Sequence, residues 1–267
     1  MSGVHETGDY RSGGRSGGLP AAETVASTGS PSPGHPEASH ADSTPFGRLV
    51  SQPFGRLVDL TLTLRRGQRG VDWETARTFE RDGWNARTLH LYSHCGTHMD
   101  APVHFAAGPG TIDQIPLDRL IGPAWVVRIP NLPPRALIEI THLGTVASQF
   151  QPGDSLLLHT GWSAHSNNPA LYRDGLPRVS EPLARWCVER GVKILGVEPP
   201  SVADVNHLPE VTLIHKVLLG GGVVIVEGLT NLDQLAGPKT FFAALPLKIE
   251  GGDGCPCRAF AVEECSR

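Results

Sequence analysis

No stretch of this 267-residue chain approaches the ~18 consecutive apolar residues of a membrane-spanning helix. Arginines occur near the N-terminus, but no apolar run follows them, so no secretory signal is read there. Cysteine is sparse. Cys95, Cys187, Cys255, Cys257 and Cys265 make an odd, irregularly spaced set of five, which argues against a disulfide framework. A reducing, cytoplasmic setting is the expectation. A basic stripe is also missing: 23 Lys and Arg face 27 Asp and Glu, for a net charge of -4. Neither nucleic acid nor a membrane is therefore expected as a partner. No G-x-S-x-G occurs, and Gly161-Trp162-Ser163 lacks the second glycine, which disfavours serine hydrolysis. No G-x-G-x-x-G opens a helix, because Gly220-Gly221-Gly222 leads into an apolar run instead. Cys255-Pro256-Cys257 is read as lying in a glycine-rich turn without an adjacent base, so thiol chemistry is disfavoured too.

The first 44 residues lack something else. Their larger apolar residues are only Met1, Val4, Tyr10, Leu19 and Val25. Such a Gly/Ser/Pro-rich segment cannot offset its ordering entropy, and disorder is expected over residues 1–44. Pro-Phe-Gly-Arg-Leu-Val then occurs twice, at 45–50 and 53–58. This spacing is too short for a solenoid and reads as a local duplication. One folded domain is expected over 45–267, starting between 45 and 58.

Within that domain the apolar pattern indicates strands and helices. Asp59–Leu64 alternates as a strand does. Ala124–Ile129, Ser155–His159, Val192–Val197 and Gly222–Val226 are short apolar runs after turn residues. Helices are expected over Glu181–Arg190 and Pro209–Leu219, each ended by glycine. The alternation indicates an α/β fold with a mixed sheet and flanking helices.

What is abundant is histidine in one place. Ser93-His94-Cys95-Gly96-Thr97-His98-Met99-Asp100-Ala101-Pro102-Val103-His104-Phe105 sets three histidines and an aspartate within eleven positions. Imidazole and carboxylate suit Zn, Mn or Fe. A regular helix would turn Asp100 away from His94 and His98. A regular strand would spread the set over ~33 Å. The segment must therefore bend, with Gly96 and Pro102 as suited places, so that His94, His98 and Asp100 converge and His104 sits slightly further out. The plain alternative is a histidine-rich surface loop.

A second signal is His215, on the helix expected over Pro209–Leu219, followed by the buried-looking run Gly222–Val226 and then Glu227. A carboxylate ending such a strand is costly unless paired or bound to a metal. Taken alone, these residues leave two readings open. Either Glu227 pairs with an arginine and His215 is a satisfied core histidine, or both are metal ligands.

Together these residues resemble a known pattern. His94-x-Gly96-Thr97-His98-x-Asp100-x-Pro102-x-His104 is similar to the H-x-G-T-H-x-D-x-P-x-H signature of the cyclase family of metal-dependent hydrolases, which includes bacterial kynurenine formamidase and isatin hydrolase. Val226–Leu232 resembles that family's second signature, and the segment from Leu245 through Arg258 resembles its closing one. The resemblance covers about residues 53–264.

It implies a swivelling β/β/α fold, a homodimer or homotetramer, and metal-assisted hydrolysis of a formamide or cyclic amide. The alternatives on the same fold are a cyclase or lyase of secondary metabolism and a lactone hydrolase. The implied first metal is bound by His94 and His98. Asp100 bridges, His215 serves a second ion, Glu227 touches both, and His104 carries the proton. One or two Zn²⁺ ions are implied, with Mn²⁺ as the other candidate. Glu198 and Cys255 stand where the family usually has Asp and Ser. The substrate-contacting tryptophan motif is degraded, which leaves Trp73, followed by Glu74 rather than Pro, as the nearest candidate.

Overall fold

The computed structural model describes residues 55–263. The 1–44 segment, the first copy of the hexapeptide and Cys265 lie outside the described residues. The elements in chain order are β1 (Leu57–Asp59), β2 (Val71–Arg77), α1 (Phe79–Asp82), β3 (Ala86–Leu91) and β4 (His98–Asp100). Then follow β5 (Ile121–Arg128), β6 (Leu137–Ile138), α2 (Val146–Gln149), β7 (Ser155–His159), α3 (Pro169–Asp174) and β8 (Arg178–Val179). The last are α4 (Glu181–Glu189), β9 (Ile194–Val197), α5 (Leu208–Gly220), β10 (Val224–Glu227), β11 (Lys239–Pro246) and β12 (Gly254–Val262). No helix among the described residues is long and apolar enough to cross a membrane.

The expected α/β fold with a mixed sheet is present. Eight strands run in the order β1-β12-β11-β5-β7-β9-β10-β4, and β4 also pairs with β12, so the sheet closes on itself. Strands β5, β7, β9 and β10 are mutually parallel, and the remaining pairings in this sheet are antiparallel. The parallel strands are buried on both faces, which explains their continuous apolar runs. On one side Leu156, Leu158, Leu195 and Val197 pack with Leu183 of α4 and with Ile214 and Leu218 of α5. On the other, Met99, Leu157, Ile194 and Val226 pack with Phe242 and Ala259.

Two short stretches differ from the sequence pattern. The strand read over Asp59–Leu64 already ends at Asp59. Beyond it, Leu60 still bonds the Ala259 and Thr230 backbones, and side chains add to the pairing: Thr61 Oγ1 donates to Ala259 O, and Leu62 N donates to Thr97 Oγ1. Cys255-Pro256-Cys257 is not a turn but the start of β12, with Pro256 opposite His98.

The position of β4, between β10 and β12, matters most for function. Glu227 stands opposite His98, and Gly254 opposite Asp100. Thr97 ties the two histidine-bearing regions together, since its hydroxyl donates to Gly228 O at 2.6 Å. Gly228 has a φ of 69°, and a Cβ there would lie 2.5 Å from Gly96 O. A side chain at this position meets both a left-handed backbone and a backbone clash. Gly228→Ala is expected to cost about 2–5 kcal/mol. Thermal unfolding checks this, and an unchanged midpoint would contradict the packing described.

Candidate metal centre

Each polar residue of the centre is delivered by a separate local device. Gly96, with a φ of 61°, turns the chain between His94 and His98. The short strand β4 then presents His98 and Asp100, both buried. The turn at Pro102–Phe105 carries His104 to the rim. His215 comes from the buried side of α5 and Glu227 from the end of β10. The structure thus brings together all five residues read as ligands, with His104 beside them.

Their nitrogens and oxygens alternate. His94 Nδ1 lies 2.8 Å from Asp100 Oδ1, and His98 Nε2 lies 3.7 Å from the same oxygen. His98 Nε2 is 3.2 Å from Glu227 Oε2, and His215 Nε2 is 3.4 Å from Glu227 Oε1 and 3.5 Å from Asp100 Oδ2. Most of these gaps exceed a normal N–H···O bond. They match the edge of a coordination tetrahedron, ~3.4 Å when each ligand sits ~2.1 Å from a shared ion. Asp100 Oδ2 has no hydrogen-bond partner among the described residues, although its side chain is 0% exposed. Buried polar atoms are nearly always satisfied, so an unpartnered carboxylate oxygen facing a histidine nitrogen fits a metal ligand. The outer nitrogens of two rings are already engaged: His98 Nδ1 with Gly96 O at 3.0 Å, and His215 Nδ1 with Val211 O at 2.7 Å. Such outer contacts orient metal-binding imidazoles. The donor set therefore fits a divalent metal.

Electrostatics follow from this packing. Burial pulls the His94 and His215 imidazoles down, but carboxylates override it. Asp100 and Asp253 raise His94 to about 9, and Asp100 and Glu227 raise His215 to about 10. Burial pushes the Asp100 carboxyl up, yet His215 and His94 hold it well below its usual range. His104 is lowered, first by burial and then by its charged histidine neighbours, so it is neutral near pH 7. Its ring stacks on His94 at 3.7 Å, and its side chain keeps 22% of its exposure, against 3% for His98 and His215.

Among the described residues, the remaining sequence candidate Trp73 lies on β2, which pairs with β3 outside the large sheet. Arg87 covers its ring, 5.3 Å from the centroid. Among the described residues no histidine stacks with it. Glu198 is buried, and its carboxylate accepts from Thr160 N, Thr160 Oγ1, Trp162 N and Ser163 Oγ, so it anchors a turn. Cys255 is buried in the core beside β4. Sequence reasoning passed over three contributors. Phe105 stacks on His215 at 4.2 Å. Val202 N donates to Glu227 Oε1 at 2.7 Å. Asp253 Oδ2 lies 3.0 Å from His94 Nε2. Only the fold places the latter two there; Phe105 could have been suspected from its place beside His104.

Comparison with known proteins decides the family. Residues 58–204, more than half of the chain, match the Cyclase family model, described as "Putative cyclase". The chain belongs to the cyclase family. It is 32% identical over 189 residues to a kynurenine formamidase of Salinibacter ruber, covering 70% of this chain and 84% of that one. Among solved structures it is similar to isatin hydrolase A from Ralstonia solanacearum, with a TM-score of 0.68, 26% identity, and coverage of 78% and 92%. A protein of Bacillus stearothermophilus described as a predicted metal-dependent hydrolase matches with a TM-score of 0.60 at 25% identity, covering 78% and 98%.

The charges of the centre give a pH dependence for the metal-free protein. Histidines raised from 6.5 to about 9 and 10 contribute stability that is complete below 6.5 and lost as pH rises through those values. Asp100 and Glu227, both lowered, act oppositely: their contribution is present above the ordinary carboxylate range and lost as pH falls. The thermal midpoint of metal-free protein is expected to fall between pH 7 and 10, and added zinc to stabilise most at the alkaline end. A midpoint flat across that window would contradict these charge states.

Proposed function

We propose that this protein hydrolyses a non-peptide amide, either a formamide or a cyclic amide. Zinc is the proposed metal, as one or two ions held by His94, His98, Asp100, His215 and Glu227, with manganese as the alternative. The observation that carries this reading is the unpartnered, fully buried Asp100 Oδ2 inside an alternating ring of histidine and carboxylate atoms. When bound, the metal supplies Lewis acidity, which makes water nucleophilic near neutral pH and polarises an acyl oxygen.

The chain's own residues do the rest. His94, His98 and His215 keep their ring planes fixed through contacts on both nitrogens. Phe105 covers the His215 face and excludes water there. His104, neutral and partly open to solvent, takes a proton at a ring nitrogen from the attacking water. It then delivers that proton to the departing nitrogen, a role worth ~10²–10⁴-fold. A second reading makes His104 a ligand, because its nitrogen lies within 4.8 Å of donor atoms of Asp100 and His215. Its exposure favours the proton-carrying role, since His98 and His215 are almost fully enclosed.

The partner is a small amide, and the chain is proposed to form a homodimer or homotetramer. The support for assembly is apolar surface on and beside the β2–β3 pair: Phe79, Trp84, Leu89 and Tyr92 are 49–64% exposed. Trp73, on the same pair, is proposed to contact substrate from there.

The test uses zinc-loaded and manganese-loaded protein with N-formylkynurenine, isatin and a lactone panel. Metal-dependent hydrolysis of one of the two amides, abolished by a chelator, is the expected result. His104→Ala is expected to retain metal while losing 10²–10⁴-fold in kcat/KM. His98→Ala is expected to lose metal as well. Wild-type turnover by metal-replete His104→Ala would overturn its role, and loss of metal from that variant would favour the ligand reading. Turnover of lactones alone would move the substrate class.

A further inference from the structure

A metal-binding imidazole uses one ring nitrogen for the ion, and the acceptor on its other nitrogen fixes the tautomer and the ring plane. His98 and His215 use the backbone carbonyls of Gly96 and Val211 for this. Among the described residues His94 has no such carbonyl contact. Its Nδ1 faces inward, 2.8 Å from Asp100 Oδ1, on the side shared with His98. Its Nε2 faces outward, 3.0 Å from Asp253 Oδ2.

We infer that Asp253 is the positioning carboxylate of the centre: it accepts the Nε2–H of His94, which leaves Nδ1 free for the metal. The inference rests on the proposed metal role of His94.

Three observations support it independently. Asp253 is registered to the motif by its backbone, since Ala101 N donates to Asp253 O at 2.9 Å and Gly254 pairs with Asp100. Gly254 lets β12 close onto the imidazole, because a Cβ there would lie 2.5 Å from His94 Cε1. The carboxylate also reaches both stacked rings, with Oδ2 3.6 Å from His104 Nδ1. The Asp253 side chain is 48% exposed, so hydration on its other side limits the cost of keeping it charged. A carboxylate here makes the inner nitrogen of His94 a stronger donor than a neutral acceptor would.

The test is zinc affinity by equilibrium dialysis on metal-stripped full-length protein, for wild type, Asp253→Ala and Asp253→Asn. Asp253→Ala is expected to bind zinc about 10–100-fold more weakly. Asp253→Asn, whose side-chain oxygen still accepts from Nε2, is expected to stay within a few-fold of wild type. Asp253→Ser replaces the alanine form should that one not fold. In zinc-loaded wild type the His94 Nε2 proton is expected as a slowly exchanging NMR signal that Asp253→Ala loses. Undiminished zinc affinity in Asp253→Ala would overturn the inference, as would equal losses in the Asn and Ala variants. Absence of zinc binding by wild type would overturn the metal reading itself, which separates the two failures.

Discussion

Two carboxylates, Asp100 and Glu227, are buried against each other in the interior of a closed sheet, and nearly everything around them answers that placement. Burial pushes the Glu227 carboxyl up and Asp100 adds to the effect, yet His215 and His98 hold it below its usual value. Left alone, one of them would take a proton. Three imidazoles at 2.8–3.7 Å supply the compensating charge when the ion is absent. A bound divalent cation would take over that role and release the protons of His94 and His215. Folding, metal binding and protonation are thereby linked in this centre.

The fold holds the carboxylates together through strand pairing more than through side-chain reach. Strand β4 is three residues long, yet it pairs on both sides, with β10 and β12. One partner brings Glu227 opposite His98, and the other brings Asp253–Gly254 opposite Ala101 and Asp100. Small residues make this approach feasible. At Gly228 and Gly254 any side chain would strike the motif that the strands are there to support. The same closure buries Met99 and Val226 at 0% exposure, so the hydrophobic core and the polar centre share their strands.

Much of this was legible in the sequence, for physical reasons. Strand β7 runs over Ser155–His159 as read, because a strand buried on both faces must be a continuous apolar run between turn residues. Helices α4 and α5 lie within a residue of their expected bounds, set by Ser180 as a cap and by glycine at their ends. The five residues proposed as ligands, with His104, could be singled out because they lie in two short segments that carry the family resemblance, and the structure brings them together. The β2–β3 pair was not, since Val71–Arg77 alternates only over Val71–Thr75 and buries only Val71 fully. Asp253 falls in the segment that resembles the family's closing one, but its contact with His94, 159 positions away, was not legible, because the β12–β4 register sets it.

The account stands or falls on whether an ion occupies this ring. Crystals of the zinc-loaded protein, with anomalous diffraction recorded on both sides of the zinc edge, would test it most directly. The account predicts one or two anomalous peaks bounded by His94, His98, Asp100, His215 and Glu227, each ~2 Å from its ligands. A ring closed by direct hydrogen bonds, with zinc absent or bound elsewhere, would contradict it.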